Sequence, residues 1–290
     1  MTLVWLDMTQ EELDRAYTQD AYAPNRLQIL ERFHVTSNWM RARIGEPKRL
    51  TYGPGKMEGI DLFRAKTEAP CPAVIIVHGG AWRSGSAAQY AFLSEIFINA
   101  GAHCLLPDFD FVQDHDGDLL PLADQVGRSI AYICAHAADL GIDPTRIFIC
   151  AHSSGSHLAA SVLSGLKHQF KGLNDDSIKA ALLCSGMYEL EPVRLSARSE
   201  YVSFTDEVLD VLSPMRHMDK LTTPMIVAHG TLETPEFKRQ TLEFADALNE
   251  RGLLISSIVA EQCNHLEVLE TLANPYGLLG EAALRMIRDA

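Results

Sequence analysis

A serine becomes a nucleophile when a sharp turn exposes its hydroxyl beside a base, and residues 146–166 carry the residue types for such a turn. The apolar run RIFIC leads into Ala151-His152-Ser153-Ser154-Gly155, and the helix-compatible stretch SHLAASVLSGL follows. This is a G-x-S-x-G elbow with alanine in the first place. Small residues are needed there because strand and helix are pressed together while the serine backbone is strained. Ser153 is the candidate nucleophile. Ser154, the rival hydroxyl, occupies the position whose main-chain N–H serves an oxyanion hole. Upstream, the run AVIIV ends in His78-Gly79-Gly80-Ala81-Trp82. Glycines directly after a buried strand let backbone N–H groups approach a ligand, so Gly79 and Gly80 join Ser154 as candidate oxyanion donors. Ala81 and Trp82 are the candidate substrate contacts, with packing an equal reading for Trp82. The chemistry implied is acyl transfer through a serine ester, which requires a histidine base and a carboxylate behind it.

The elements that must position these groups follow from hydrophobic periodicity. Short apolar runs at about 59–64, 73–78, 101–107, 146–151, 179–185, 224–229 and 254–260 alternate with helix-length amphipathic stretches at about 87–100, 121–139, 155–166, 235–251 and 277–288. Most of the runs are apolar throughout, as parallel strands covered on both faces are. Alternation of this kind predicts an α/β chain with a mostly parallel central sheet flanked by helices, which with the serine elbow is the α/β-hydrolase fold. Residues 1–45 form a helical segment before the sheet. Thr9 and Glu12 make a capping box for a helix over 10–18. After Pro24, Asn25 caps a second helix with Leu27, Leu30, Phe33 and Trp39 on roughly one side. Whether this segment roofs the pocket or packs against the back of the sheet is open. No repeat or composition break divides the 290 residues, so a single domain is expected.

This fold orders its triad as serine, acid, histidine. Of the eleven histidines, only His265 lies beyond residue 229, after the last strand, which makes it the candidate base. His229, His152, His157 and His78 are expected to be packed or loop-bonding groups. The acid belongs after the penultimate strand, where Gly230-Thr231-Leu232-Glu233-Thr234-Pro235-Glu236 offers two carboxylates. Pro235 suits the first turn of the next helix, Thr234 its cap, and Glu236 an acid favoured by the helix dipole. That leaves Glu233 on the loop, with Glu236, Glu261 and Asp206 as the alternatives.

With these residues placed, the chain resembles the arylformamidase (kynurenine formamidase) branch of the α/β-hydrolases over nearly its whole length. HGGAW is similar to that branch's HGGxW, AHSSGSHLAA to its GHSAGGHLAA, and SGMYELEPV (185–193) to its SGxxDLEP segment. GTLETPEFKRQ and CNHLEVLE match its acid and base segments, which places the acid on Glu233 and the base on His265. Ala81, Ala151 and Ser156 depart from the pattern, as does PDFDFVQDHDGD after the run at 101–107. The resemblance implies cleavage of an N-formyl aryl amine of the N-formylkynurenine type, with a small ester or amide hydrolase as the alternative.

Composition narrows the remaining classes. With 25 basic and 38 acidic residues the formal charge is −13, which disfavours nucleic acid or an anionic membrane as partner. No run approaches the ~18 apolar residues of a membrane helix, and the first residues lack a signal peptide's pattern. Six scattered cysteines without a CxxC pair fit packing roles in a reducing, cytoplasmic compartment. There is no metal-ligand spacing, P-loop or dinucleotide glycine pattern, so no cofactor is implied. A small-molecule substrate is the expected partner, and a homodimer is compatible with the chain.

Overall fold

The computed structural model describes residues 2–289. Eight strands form one sheet: β1 Lys48–Thr51, β2 Gly59–Phe63, β3 Cys71–Val77, β4 His103–Pro107, β5 Ile142–His152, β6 Ala180–Cys184, β7 Met225–Gly230 and β8 Leu254–Ala260. Their spatial order is β8-β7-β6-β5-β3-β4-β2-β1. Strand β2 runs antiparallel to β1 and β4, and every other pairing is parallel. The protein therefore has the α/β-hydrolase fold. Strand β1 and a small hairpin, Leu3–Trp5 with Met8–Thr9, lie outside the strands predicted from apolar runs. Each is too short or too polar to leave a periodic signal.

Alternation along the strands divides the core in two, because successive side chains point to opposite faces. Ala73, Ile75, Val77, Ile147 and Ile149 enter one cluster, which is covered by α1 (Gln10–Ala16), α3 (Leu120–Ala135), α4 (Ser154–Ser161) and α6 (Pro235–Glu250) through residues such as Leu13, Val126, Leu158 and Phe244. Val74, Ile76, Phe148 and Cys150 enter the other. There α2 (Arg26–Ile44) and α7 (Leu278–Asp289) supply Ile29, Phe33, Met40 and Ala283. On the first face α5 (Asp206–Leu212) packs Val208, Leu209 and Leu212 beside α3 and α4, with Thr205 as its side-chain cap.

The two N-terminal helices thus pack on opposite faces of the sheet. The Thr9–Glu12 capping box forms as expected. The expectation for α2 needs correcting. Leu27 is 72% and Trp39 66% exposed, whereas Ile29, Phe33, Ser37 and Met40 form the buried stripe. At about 100° per residue, Leu27 stands roughly opposite Ile29, so these apolar residues cannot share one face. Asn25 occupies the cap position, but its side chain makes no capping bond. It donates instead to Glu267 and accepts from Asn264, tying the helix start to the segment that carries His265.

Phe33 is fully buried, with its ring centroid 4.7 Å from that of Phe92. Phe33→Ala is expected to cost about 3–5 kcal/mol, and Trp39→Gln no more than about 0.5 kcal/mol, measured by urea unfolding. Equal losses from the two variants would contradict this packing of α2.

Candidate active site

Strand β5 delivers Ser153 to a turn in which its backbone takes φ 55°, ψ −125°, a conformation L-residues avoid. The turn is held from several sides. The main-chain N–H of Ser153 donates to the Cys184 carbonyl at 2.8 Å, and the Ser156 hydroxyl donates to the same oxygen at 2.9 Å. Behind it, a Cβ on Gly155 would lie 2.4 Å from the carbonyl oxygens of Val77 and His78, so only glycine lets α4 approach β3 this closely. Ser156, which departs from the family pattern, thus supplies a bond that a glycine there could not.

Three buried side chains meet at this turn. The Ser153 hydroxyl lies 2.8 Å from His265 Nε2, and His265 Nδ1 lies 2.7 Å from Glu233 Oε2. Glu233 Oε1 accepts from the Ser185 hydroxyl at 2.6 Å and from the Gly230 N–H at 2.7 Å. Burial raises the affinity of Glu233 for a proton. His265, Ser185 and Gly230 outweigh it, so the carboxyl titrates below its ordinary range and stays ionised. Glu236 points elsewhere. It is a first-turn acid of α6, where Pro235 opens the helix and Thr234 caps it, and it binds Tyr17 and Arg239. Asp206 pairs with Arg194 at 2.7 Å, and Glu261 is exposed.

The loop after β3 bends sharply at the same place. Gly80 takes φ 129°, and Ala81 and Trp82 follow at 55° and 61°. The Trp82 N–H is taken by the Ser154 hydroxyl at 3.2 Å. Among the described residues, the N–H groups of Gly79, Gly80 and Ser154 have no oxygen partner. Ala81 lines a cavity of about 820 Å³ together with Gly79, Gly80, Ser153 and His265. Trp82, grouped with Ala81 as a substrate contact, does not lie on this wall. It is buried, and its indole N–H donates to His157 Nδ1 at 3.2 Å, so it packs behind the loop.

The flanking histidines are structural. His152 bonds the main-chain oxygen of His265 at 2.8 Å and the Tyr90 hydroxyl at 3.1 Å. Burial, reinforced by His265, lowers its pKa to about 3. His157 bonds the Leu212 carbonyl, and burial lowers its pKa to about 4. His78 stacks on Phe109, and burial lowers its pKa as well, as it does that of His229. Ser185 carried no role in the sequence, although its segment was conspicuous. It has a positive φ of 55° and is the side-chain donor that orients Glu233. Tyr17, from the end of α1, and Arg198 also line the cavity. Neither lies near a recognisable motif.

Residues 60–187 match the BD-FAE family model. The chain is 29% identical to a kynurenine formamidase of Danio rerio, over 98% of both chains. It is 28% identical to the esterase LipC of Mycobacterium tuberculosis, over 69% of this chain and 54% of that one. A solved structure from Silicibacter sp. tm1040, provisionally described as a thioesterase, superposes with a TM-score of 0.81 at 22% identity, covering 95% of this chain and 98% of that one. Among the described residues no helix is long and apolar enough to cross a membrane.

Buried neutral histidines make stability sensitive to acid. His152 and His157 have folded pKa values of about 3 and 4, against ~6.5 unfolded. The unfolded chain therefore takes up their protons first, and stability is lost as pH falls below about 6.5. At pH 5 each should have cost about 2 kcal/mol relative to pH 7.5. Urea unfolding at the two pH values measures the loss, and a His157→Gln variant should show less of it. An unchanged pH dependence in that variant would count against the assignment.

Proposed function

We propose that this arylformamidase-like α/β-hydrolase cleaves a small aryl formamide of the N-formylkynurenine type through a Ser153–His265–Glu233 triad. Two observations support the reading: likeness to a kynurenine formamidase across the full chain, and the unbroken hydrogen-bonded line from Ser153 to Glu233. Ser153 Oγ adds to the formyl carbon while its proton passes to His265 Nε2. The carbonyl oxygen, now anionic, turns toward the N–H groups of Gly79, Gly80 and Ser154, which are fixed before the reaction begins. Collapse returns the proton from His265 to the leaving nitrogen and releases the aryl amine. Water, deprotonated by His265, then attacks the formyl ester of Ser153, giving formate and the free serine. Glu233 holds the imidazole with Nδ1–H directed at it and stabilises the charged ring in both halves.

Residues 2–45 complete this unit. The connection between α1 and α2 brings Tyr17, Thr18, Gln19 and Asp20 to the cavity wall, and the start of α2 adds Arg26. It acts as the roof, limiting the water that reaches the acyl-enzyme. The esterase relative favours a second reading, an esterase for small acyl or aryl esters. The same triad would serve it.

Ser153→Ala should lower kcat by on the order of 10⁵–10⁶. Glu233→Gln should lower it by about 10²–10⁴, and Glu236→Gln by less than about tenfold. If Glu236→Gln proves the more damaging, the acid has been misassigned. A panel of formyl, acetyl and longer acyl anilides against matched esters tests the substrate, and a higher kcat/KM on every ester would establish the esterase reading instead.

A further inference from the structure

Two cationic side chains are buried among the described residues, Lys167 and Arg198. Lys167 is neutralised by Asp175 at 2.5 Å. Arg198, only 7% exposed, is paired with no carboxylate among the described residues. Its Nη1 donates to the Tyr201 hydroxyl at 2.9 Å and its Nη2 to the Tyr17 carbonyl at 3.0 Å, both neutral acceptors. Its Nε is buried with no acceptor. The rings of Tyr17, Trp82 and Phe237 stand 5.5–6.0 Å from the guanidinium carbon. Their faces ease the burial of charge, but they offer no oxygen for the remaining N–H groups.

A buried cation without a counter-ion is costly unless a ligand supplies one. Arg198 lines the cavity that holds Ser153 and His265. The other arginines on that wall are less suited to the role: Arg26 is paired with Asp20 at 2.8 Å, and Arg83 is exposed over the Tyr201 ring.

We propose that Arg198 is a specificity-determining residue that binds a carboxylate carried by the substrate away from the scissile bond. A formyl group has no room for a second charge, so on the formamidase reading the carboxylate belongs to the amine half of the substrate. The inference rests on that reading for the bond cleaved. The anion site itself does not depend on whether the bond is an amide or an ester. The fork of a guanidinium matches a carboxylate in geometry, and a charge-assisted pair to a buried guanidinium discriminates against a neutral isostere.

The test uses a formanilide bearing a carboxylate-tipped side chain and its primary carboxamide counterpart. Wild-type protein should prefer the carboxylate by about tenfold or more in kcat/KM, and less so at high salt. Arg198→Met should abolish that preference, chiefly by raising KM for the carboxylate compound. Arg198→Lys should retain part of it. A wild type without preference, or an Arg198→Met variant equally impaired on both compounds, overturns the proposal in favour of a purely structural arginine. Should that variant not fold, inhibition of the wild type decides. The carboxylate-bearing amine product must inhibit competitively and more tightly than its carboxamide, and equal inhibition overturns the proposal. If both formanilides are inert but the matching aryl esters are cleaved, the formamidase reading fails and the ester pair judges Arg198 by the same criteria.

Discussion

The backbone of Ser153 occupies a region that costs on the order of 1–3 kcal/mol for a residue with a Cβ. That strain persists because the surroundings leave the turn no alternative. Strand β5 is paired on both sides, by β3 and β6, and the Cys184 carbonyl collects both the Ser153 N–H and the Ser156 hydroxyl. Gly155 lets α4 sit almost on the carbonyls of Val77 and His78. The bend that follows His78 is part of the same contact, since the Trp82 N–H ends on the Ser154 hydroxyl. One close approach of helix to strand therefore positions the Ser153 hydroxyl and the N–H groups of Gly79, Gly80 and Ser154 together.

The electrostatics around this turn follow from burial. His78, His152 and His157 are pushed toward neutrality by desolvation, so they serve as hydrogen-bonding struts rather than charges. Glu233 is as deeply buried yet remains ionised, because three donors converge on it. A single negative charge is thus aimed at a single imidazole. His152, bonded to the main chain of His265, fixes the height of that imidazole without competing for its proton.

The N-terminal segment is joined to this machinery by a second buried network. The Tyr17 hydroxyl donates to Glu236 and accepts from Gln240 at 2.6 Å. Gln240 in turn accepts from the N–H groups of Tyr188 and Glu189, and Arg239 closes the network on Glu236. Both acids of the Glu233–Glu236 pair are therefore used, one facing His265 and the other facing the segment before the sheet. The cavity wall cannot shift at Tyr17 without disturbing α6, whose first turn directly follows Glu233.

Much of this was legible in the chain because its signals are local. Seven of the eight sheet strands announce themselves as apolar runs, and in β3, β4, β6 and β7 this is because a parallel strand buried on both faces has no polar side to show. The elbow at 151–155, the Gly79–Gly80 bend, the Thr9 box and the Pro235 helix start all depend on near neighbours in sequence, as caps and tight turns do. The α/β-hydrolase fold could therefore be read directly, and Ser153 and His265 stood out as candidates, while the acid stayed open among Glu233, Glu236, Glu261 and Asp206 until the resemblance pointed to Glu233. Other features arise only through space. Which stripe of α2 is buried depends on the sheet it meets, so Leu27 and Trp39 read as core and stand in solvent. Trp82 could be wall or packing until His157, 75 residues away, was found to hold its indole N–H. Ser185 opens the SGMYELEPV segment without any role the sequence could assign, and Arg198 belongs to no motif; their significance comes from what they face: a carboxylate 48 residues on for Ser185, and an acceptor-poor cage of rings for Arg198. Periodicity and turn chemistry are written along the chain, whereas the pairing of buried polar groups is decided by the packing that brings them together.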